Sequence, residues 1–333
     1  MKIAIIGSNK PDTIEFNLNE AFNYNGHNCH VFDILDKKIL HNKYIFTVNK
    51  ILRYYNDYFD KIQFINHAKI VCQYNPDLVV CVYRFIHPDF VSYIKKNIKC
   101  IIIHVNPDAL TTFQLQQIFV SDYDAWFSKD PYIVNFMKHN MKLNAILYNE
   151  AFNIRYHKKP NIDKEQAEKE TKIDVMTYGS VYPYRALMLK QVIKAGIDLK
   201  IYGTRPHRFY DKYLNKAYQN KYITGEKKSQ LLYGSKIVLN QMHFAEIESV
   251  NNRFFEAFGA GAFQLVDYRP ILNELLPIDP EQISFKSIDE AIDKIGYYLS
   301  HPNDRYEISD KIYQHFIKNY TYDNLINHVL NNI

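Results

Sequence analysis

The chain is 333 residues long, 47% hydrophobic and 23% charged, with a formal charge of +5. This composition excludes intrinsic disorder and supplies enough apolar side chains for a sizeable core. At roughly 100–200 residues per domain, two domains are expected. No apolar run approaches the ~18 residues that cross a bilayer, so no membrane insertion is expected. Met1–Gly7 enters a strand-like run directly, without the long apolar stretch of a signal peptide, and reads as the start of a cytoplasmic protein. Cys29, Cys72, Cys81 and Cys100 form no Cys-x-x-Cys pair. Three of them lie in apolar runs, so they read as buried thiols.

In chain order, Lys2–Gly7 predicts a buried strand, followed by a helix of about ten residues and a strand at His30–Ile34. A long helical region covers Phe46–Tyr74. Strand-like runs recur at Asp77–Tyr83, Lys99–Asn106, Ala125–Ser128 and Leu143–Tyr148, separated by helical patterns near Pro88–Asn97 and Pro131–Asn140. Such alternation predicts a parallel sheet covered by helices on both faces. Tyr156–Lys172 holds Pro160 and nine charged residues among seventeen, and reads as a linker. A second series begins at Ile173, with strands at Asp174–Tyr178, Leu199–Tyr202, Lys236–Leu239 and Gln264–Val266. Its helices are expected near Tyr184–Ala195, Lys227–Tyr233, Val250–Phe258, Ile288–Leu299 and Asp304–Asn319. The expected organisation is a domain over 1–155, a linker over 156–172, and a domain over 173–333 whose final helix could cross back to the first. Both domains are read as doubly wound, Rossmann-like α/β folds facing a central cleft.

The first strand–helix turn reads Gly7-Ser8-Asn9-Lys10-Pro11-Asp12. Asn9 and Asp12 stand where a dinucleotide fingerprint needs glycine, which disfavours NAD. The strongest motif runs from Glu248 through Asn252, Arg253 and Glu256 to Gly259 and Gly261. It is a loop feeding a helix that ends in a small-residue turn. A loop–helix start presents free N–H groups and is a ready anion site. Arg253 and Glu256 share a helix face. Arg253 could hold a phosphate while Glu256 accepts hydrogen bonds from ribose hydroxyls, or the two could form an ordinary surface pair.

This block resembles the sugar-nucleotide segment of GT-B glycosyltransferases, above all the CgeB-like, spore-maturation group. The resemblance lies in Asn251-x-Arg253-x-Phe255-Glu256-Ala257, then Gly261-Ala262-Phe263, with Glu248 and Glu256 spaced like the paired glutamates of retaining enzymes. It covers the second domain well and the first only in architecture. It implies a nucleotide-sugar donor, UDP-linked, bound mainly by the second domain. Glu256 would take the ribose, with Asn252 and Arg253 beside it, and Glu248 would lie near the donor sugar or diphosphate. Gly179-Ser180 would face the diphosphate and Arg185 would neutralise it. Lys236 would make a weaker donor contact. No cofactor and no essential metal are implied, the nucleotide sugar being a substrate.

The first domain is expected to supply the acceptor side. Asp108 follows the strand Lys99–Val105 and could serve as the base or simply cap the next helix. His104 could contact the donor sugar. Asp122-Tyr123-Asp124 looks like a metal-binding triplet of another fold but reads better as a turn. By analogy the Glu248 and Glu256 pair favours retention while an Asp108 base favours inversion, and both remain open.

Between Tyr182 and Lys236 the sequence holds 12 Lys/Arg against 3 Asp/Glu, an excess of 9, which leaves the rest of the chain net acidic. Arg205, Arg208, Lys212 and Lys216 alternate there with Phe209, Tyr210 and Tyr213. Such a strip could bind phosphates and stack bases. The Arg-x-x-Glu pattern also resembles that of phage DNA-base glucosyltransferases, so a hydroxymethylated DNA base joins a glycan, a protein and a small molecule as an acceptor. A nucleotide-sugar epimerase and a non-catalytic nucleic-acid-binding protein are the alternative readings.

Overall fold

The computed structural model describes residues 1–34, 43–113, 116–206, 208 and 211–333. In chain order the elements are β1 (Lys2–Gly7), α1 (Ile14–Tyr24), β2 (Asn28–Asp33), α2 (Lys43–Tyr55), α3 (Asp57–Tyr74), β3 (Leu78–Cys81), α4 (Pro88–Asn97), β4 (Ile101–Asn106), β5 (Ala125–Ser128), α5 (Pro131–His139) and β6 (Ala145–Leu147). They continue with α6 (Lys164–Thr171), β7 (Ile173–Tyr178), α7 (Pro183–Lys194), β8 (Leu199–Tyr202), α8 (Gly225–Gly234), β9 (Ser235–Asn240), α9 (Asn252–Gly259), β10 (Gln264–Asp267), α10 (Leu272–Leu275), β11 (Ser284–Phe285), α11 (Ile288–Ser300), α12 (Pro302–Asn319) and α13 (Tyr322–Asn331).

The chain divides into two units, residues 1–149 with 322–333, and residues 150–321. In the first, six parallel strands run in the order β2-β1-β3-β4-β5-β6. Ile3, Ala4, Ile5 and Ile6 are wholly buried, as a strand covered on both faces requires. The long helix expected over Phe46–Tyr74 is interrupted at Asn56. Its backbone is extended, and its side-chain Oδ1 caps α3 by accepting from the Phe59 N–H at 2.9 Å, the usual preference of asparagine at a helix start. The final helix, α13, belongs to this unit, where Asp323 accepts from Asn25 Nδ2 at 2.8 Å.

The second unit is a five-stranded parallel sheet in the order β11-β10-β9-β7-β8. Its core includes Val175, Ile201, Ile237, Leu239 and Leu265 from the strands, and Phe254, Phe258 and Phe316 from the helices. After β8 the chain crosses to the other side of β7, so the order reverses between β7 and β9. In open α/β sheets, ligands bind outside the carboxyl ends of the strands at such a reversal.

The segment expected as a linker lies inside the second unit and carries α6. Asp163 caps this helix through the Glu165 and Gln166 N–H groups. Its inner face is charged yet buried. Glu168 accepts from Arg305 Nη2 at 2.7 Å and from Tyr306 Oη at 3.1 Å. Lys164 Nζ donates to the carbonyls of Tyr233 and Ser235.

Candidate active site at the carboxyl edge of the second sheet

β7 ends at Tyr178, and Gly179 turns the chain at φ +86°, a conformation that favours glycine. Its N–H donates to Tyr202 O at 2.9 Å. Gly203 packs so closely that a Cβ there would stand 2.8 Å from Gly179 O. The turn is therefore held against the end of β8, with Ser180 next in line.

α9 begins beside this turn because the end of β9 fixes its cap. Asn240 and Asn251 exchange amide hydrogen bonds of 3.0 and 3.1 Å, while Asn251 accepts from the Phe254 N–H. Arg253, in the first turn of α9, donates to Tyr178 O at 2.8 Å and to Gln241 O at 2.9 Å. It fastens the ends of β7 and β9 together across the strand-order reversal. Arg185, 1% exposed, reaches the same turn from α7. It donates to Tyr178 O, to Ser180 O at 2.7 Å and to Thr177 Oγ1. Among the described residues neither guanidinium forms an ion pair with a carboxylate. Burial depresses the pKa of both, and for Arg185 the nearby charge of Arg253 adds to the effect.

Glu256 is buried one helical turn beyond Arg253. Its carboxylate accepts from Lys228 Nζ at 2.8 Å, Asn252 Nδ2 at 3.0 Å and Tyr178 Oη at 3.3 Å. It is not paired with Arg253, as their spacing allowed, but with Lys228, itself 4% exposed. Glu248 lies half-buried in the loop between β9 and α9. Two groups here carry no signal in the sequence beyond following a strand. Asp267 ends β10 and accepts from the Met242 N–H, and burial raises its pKa. Gln241 is fully buried, and neither atom of its side-chain amide has a partner.

Other expected residues lie elsewhere. Lys236 opens β9 and pairs with Asp174 at 2.6 Å. That is the amino end of the sheet, a strand's length of about 16 Å from the turn. His104 is 1% exposed inside β4 and packs 5.2 Å from the Tyr123 ring. A side chain so enclosed is core, which corrects its assignment as a donor-sugar contact. Asp108 does follow β4 and is exposed, with Oδ2 3.7 Å from Arg84. Asp122 and Asp124 both pair with Lys95, and Asp124 also accepts from the Ile102 N–H at 2.7 Å, as a structural turn would. Arg205, Arg208, Lys212 and Lys216 are exposed, whereas Phe209 and Tyr210 fall outside the described residues. In the first unit the Gly7 turn is filled from within. Glu15, nearly buried, accepts from the Ser8 N–H at 3.0 Å, and a Cβ on Gly7 would stand 2.4 Å from its Oε1. A carboxylate thus sits where a Rossmann-type turn holds phosphate.

Residues 185–331 match a family described as glycosyl transferase-like. Spore protein CgeB of Bacillus subtilis is 23% identical over 231 residues, 60% of this chain and 71% of that protein. Among solved structures, sucrose-phosphate synthase of Thermosynechococcus elongatus superposes with a TM-score of 0.67 at 10% identity, over 99% of this chain and 98% of the other. The DNA-modifying enzyme β-glucosyltransferase superposes with a TM-score of 0.51 at 13% identity, over 96% and 94%. No helix among the described residues is long and apolar enough to cross a membrane. With its two parallel-sheet α/β units the chain has the GT-B fold, and its sequence is similar to that of CgeB and, over residues 185–331, to a glycosyl transferase-like family.

Proposed function

We propose that the protein moves a sugar from a nucleotide-sugar donor to a hydroxyl acceptor, with the donor diphosphate at the Gly179–Ser180 turn. The observation that supports this most directly is the pair of guanidiniums behind that turn. A buried charge is costly unless an opposite charge accompanies it. Arg185 and Arg253 converge on Tyr178 O yet bond only to carbonyls and a hydroxyl. A diphosphate at the turn adds negative charge to that of Asp267 and Glu256, which lie near these guanidiniums without pairing with them, and accepts from N–H groups of the turn and of the α9 start. The glycosyl transferase-like match begins at Arg185 and includes Arg253.

In the transfer, an acceptor oxygen bonds to the anomeric carbon as the bond from that carbon to the diphosphate oxygen breaks. Negative charge builds on the leaving diphosphate, and fixed cations in a site with little water stabilise it without reorganising. Arg185 and Arg253 are assigned that role, so an essential metal is not expected. The proton of the acceptor hydroxyl needs a carboxylate. Asp108 of the first unit and Glu248 of the second are the candidates.

The reading is tested by thermal shift and calorimetry with a panel of UDP- and dTDP-sugars. A bound donor raises the melting temperature, and Arg253→Ala is expected to weaken donor binding at least tenfold. Unchanged affinity in that variant would remove the diphosphate assignment. DNA as acceptor is favoured by one observation, the exposed cations Arg205, Arg208, Lys212 and Lys216 on the same unit. An epimerase would instead convert the donor with no acceptor present, which product analysis of donor alone distinguishes.

A further inference from the structure

In the first unit, α2 reverses the usual arrangement of a surface helix. Its inward contact is a cation. Arg53 Nε lies 2.5 Å from Asp60 of α3, its Nη1 donates to Ile34 O at 3.3 Å, and its guanidinium sits 4.7 Å over the Phe64 ring. The apolar residues are on the outside. Val48, Ile51, Leu52 and Tyr55 are between 44% and 80% exposed. Their spacing, i, i+3, i+4 and i+7, is that of one helical stripe. At 3.6 residues per turn, Arg53 lies about 100–160° round the helix from each of them. Tyr54 and Tyr58 are exposed at the same end, and Tyr54 meets Tyr55 edge-on at 4.9 Å. Single apolar residues at a surface are ordinary, but a contiguous stripe marks a contact surface.

Charge indicates what meets the stripe. The sequence of α2 contains Lys43, Lys50 and Arg53 and no acidic residue. From Lys43 to Lys69, through most of α3, there are five Lys/Arg against two Asp/Glu. Of these two acids, Asp60 pairs with Arg53, and Asp57 lies 3.3 Å from His87 Nε2. A helix with an apolar stripe, tyrosines at its end and cations as its only charges suits a membrane interface. Apolar side chains enter the acyl boundary, tyrosine rings sit at the level of the headgroups, and cations meet anionic lipid. A second copy of the chain fits less well. The stripe is about 11 Å long, whereas each partner of a stable dimer buries roughly 800 Å², and two such helices would bring like charges together. An anionic lipid surface sets no minimum area and supplies the opposite charge.

We propose that α2 docks the protein on an anionic lipid surface, with Val48, Ile51, Leu52 and Tyr55 as the face that enters it. The contact is peripheral and spans nothing. The cations between Tyr182 and Lys236 are also drawn to such a surface, but through exposed charge, which salt screens. An apolar face that has entered the acyl boundary holds in salt, and this difference separates the two contributions.

The test is co-sedimentation of the full chain with vesicles of phosphatidylcholine alone and of phosphatidylcholine with phosphatidylglycerol in equal parts, at low and high salt. Wild-type protein is expected to bind the mixed vesicles at least tenfold more tightly than the neutral ones and to keep much of that binding at high salt. Ile51→Gln/Leu52→Gln/Tyr55→Gln removes the stripe with good helix formers and leaves every charge in place. It is expected to weaken binding at least tenfold, whereas Arg208→Glu/Lys212→Glu/Lys216→Glu is expected to hold high-salt binding within threefold. Val48→Trp provides a second measurement that does not depend on the triple variant folding. The chain's one tryptophan, Trp126, is buried, so the emission of the new ring is expected to shift to the blue when mixed vesicles are added. Absence of wild-type binding to the mixed vesicles overturns the proposal, as does equal binding by the glutamine variant or an emission that vesicles leave unchanged. Binding lost only in the charge-reversed variant places the contact on the second unit and overturns it too. A wild-type dimer in light scattering that the glutamine variant dissociates, without vesicle binding, gives the face to a second copy instead.

Discussion

Glu256 shows how a residue's partners decide what its removal means. From its spacing to Arg253 it is expected to hold ribose hydroxyls, yet its carboxylate is the counter-charge of the buried Lys228. Removing one member of a buried pair strands the other charge, at a cost of about 3–5 kcal/mol. Glu256→Gln is therefore expected to lower the unfolding free energy by that amount in urea titration, and Glu256→Gln/Lys228→Met to recover much of it. A single variant as stable as wild type would mean that Lys228 finds another partner. Any effect on donor affinity is to be read in the double variant, where stability and binding separate. His104 is a second case, with burial pushing its pKa down from 6.5 to about 4. The unfolded chain binds this proton first, so the stability that neutral His104 contributes is present above pH 6.5 and lost as pH falls towards 4. The full effect is roughly 3 kcal/mol, from 1.36 kcal/mol per unit. His104→Phe, which cannot titrate there, is expected to flatten unfolding free energy against pH between 6.5 and 4. An unchanged slope would place the acid sensitivity elsewhere.

Among the elements, the strands that carry the site were legible because they are continuous apolar runs. β1, β5 and β8 lie at the expected residues, and β7 and β9 shift by no more than one residue at either end. The Gly179 turn and the Arg253 helix were legible for a related reason, since a glycine after a strand and a polar start to a helix have local causes. Gln241 and Asp267 were not legible, because only the pairing of β9 with β7 and β10 gives those strand-end positions meaning. α6 was hidden more thoroughly. It reads as linker because its charges look solvated, and the partners that bury Glu168 lie 137 and 138 residues away. Burial pushes Lys164 down to about 8, in spite of its proximity to Glu168. Glu168→Ala would leave Arg305 and Lys164 without that carboxylate. It is expected to cost about 3–5 kcal/mol and to lower the melting temperature by about 10 °C. Glu165 lies on the exposed side of the same helix and pairs with Lys169 at the surface, so Glu165→Ala is expected to cost less than about 1 kcal/mol. Equal effects of the two variants would mean that the inner face of α6 is not the one that holds it.

Across the whole molecule, charge is sorted rather than spread. The segment from Tyr182 to Lys236 carries an excess of nine positive charges on a chain whose total is +5. Long-range attraction for any polyanion therefore belongs to that part of the second unit. Binding through such charges releases counterions, so its logarithm falls steeply and linearly with the logarithm of salt. Arg208→Glu/Lys212→Glu/Lys216→Glu reverses three exposed side chains of this segment. It is expected to reduce retention on an immobilised DNA duplex and to flatten the salt slope, while donor affinity stays within twofold, because Gly179, Ser180 and Arg253 are untouched. Phosphate contacts position a duplex but do not identify a base, so the decisive readout is transfer. If DNA is the acceptor, sugar transfer to a 5-hydroxymethylcytosine duplex falls with binding in the triple variant. If the acceptor is carbohydrate, transfer to an oligosaccharide survives the reversal. Loss of donor affinity in the charge-reversed protein would place the strip in the nucleotide site and undo the separation between cations that attract and cations that bind the diphosphate.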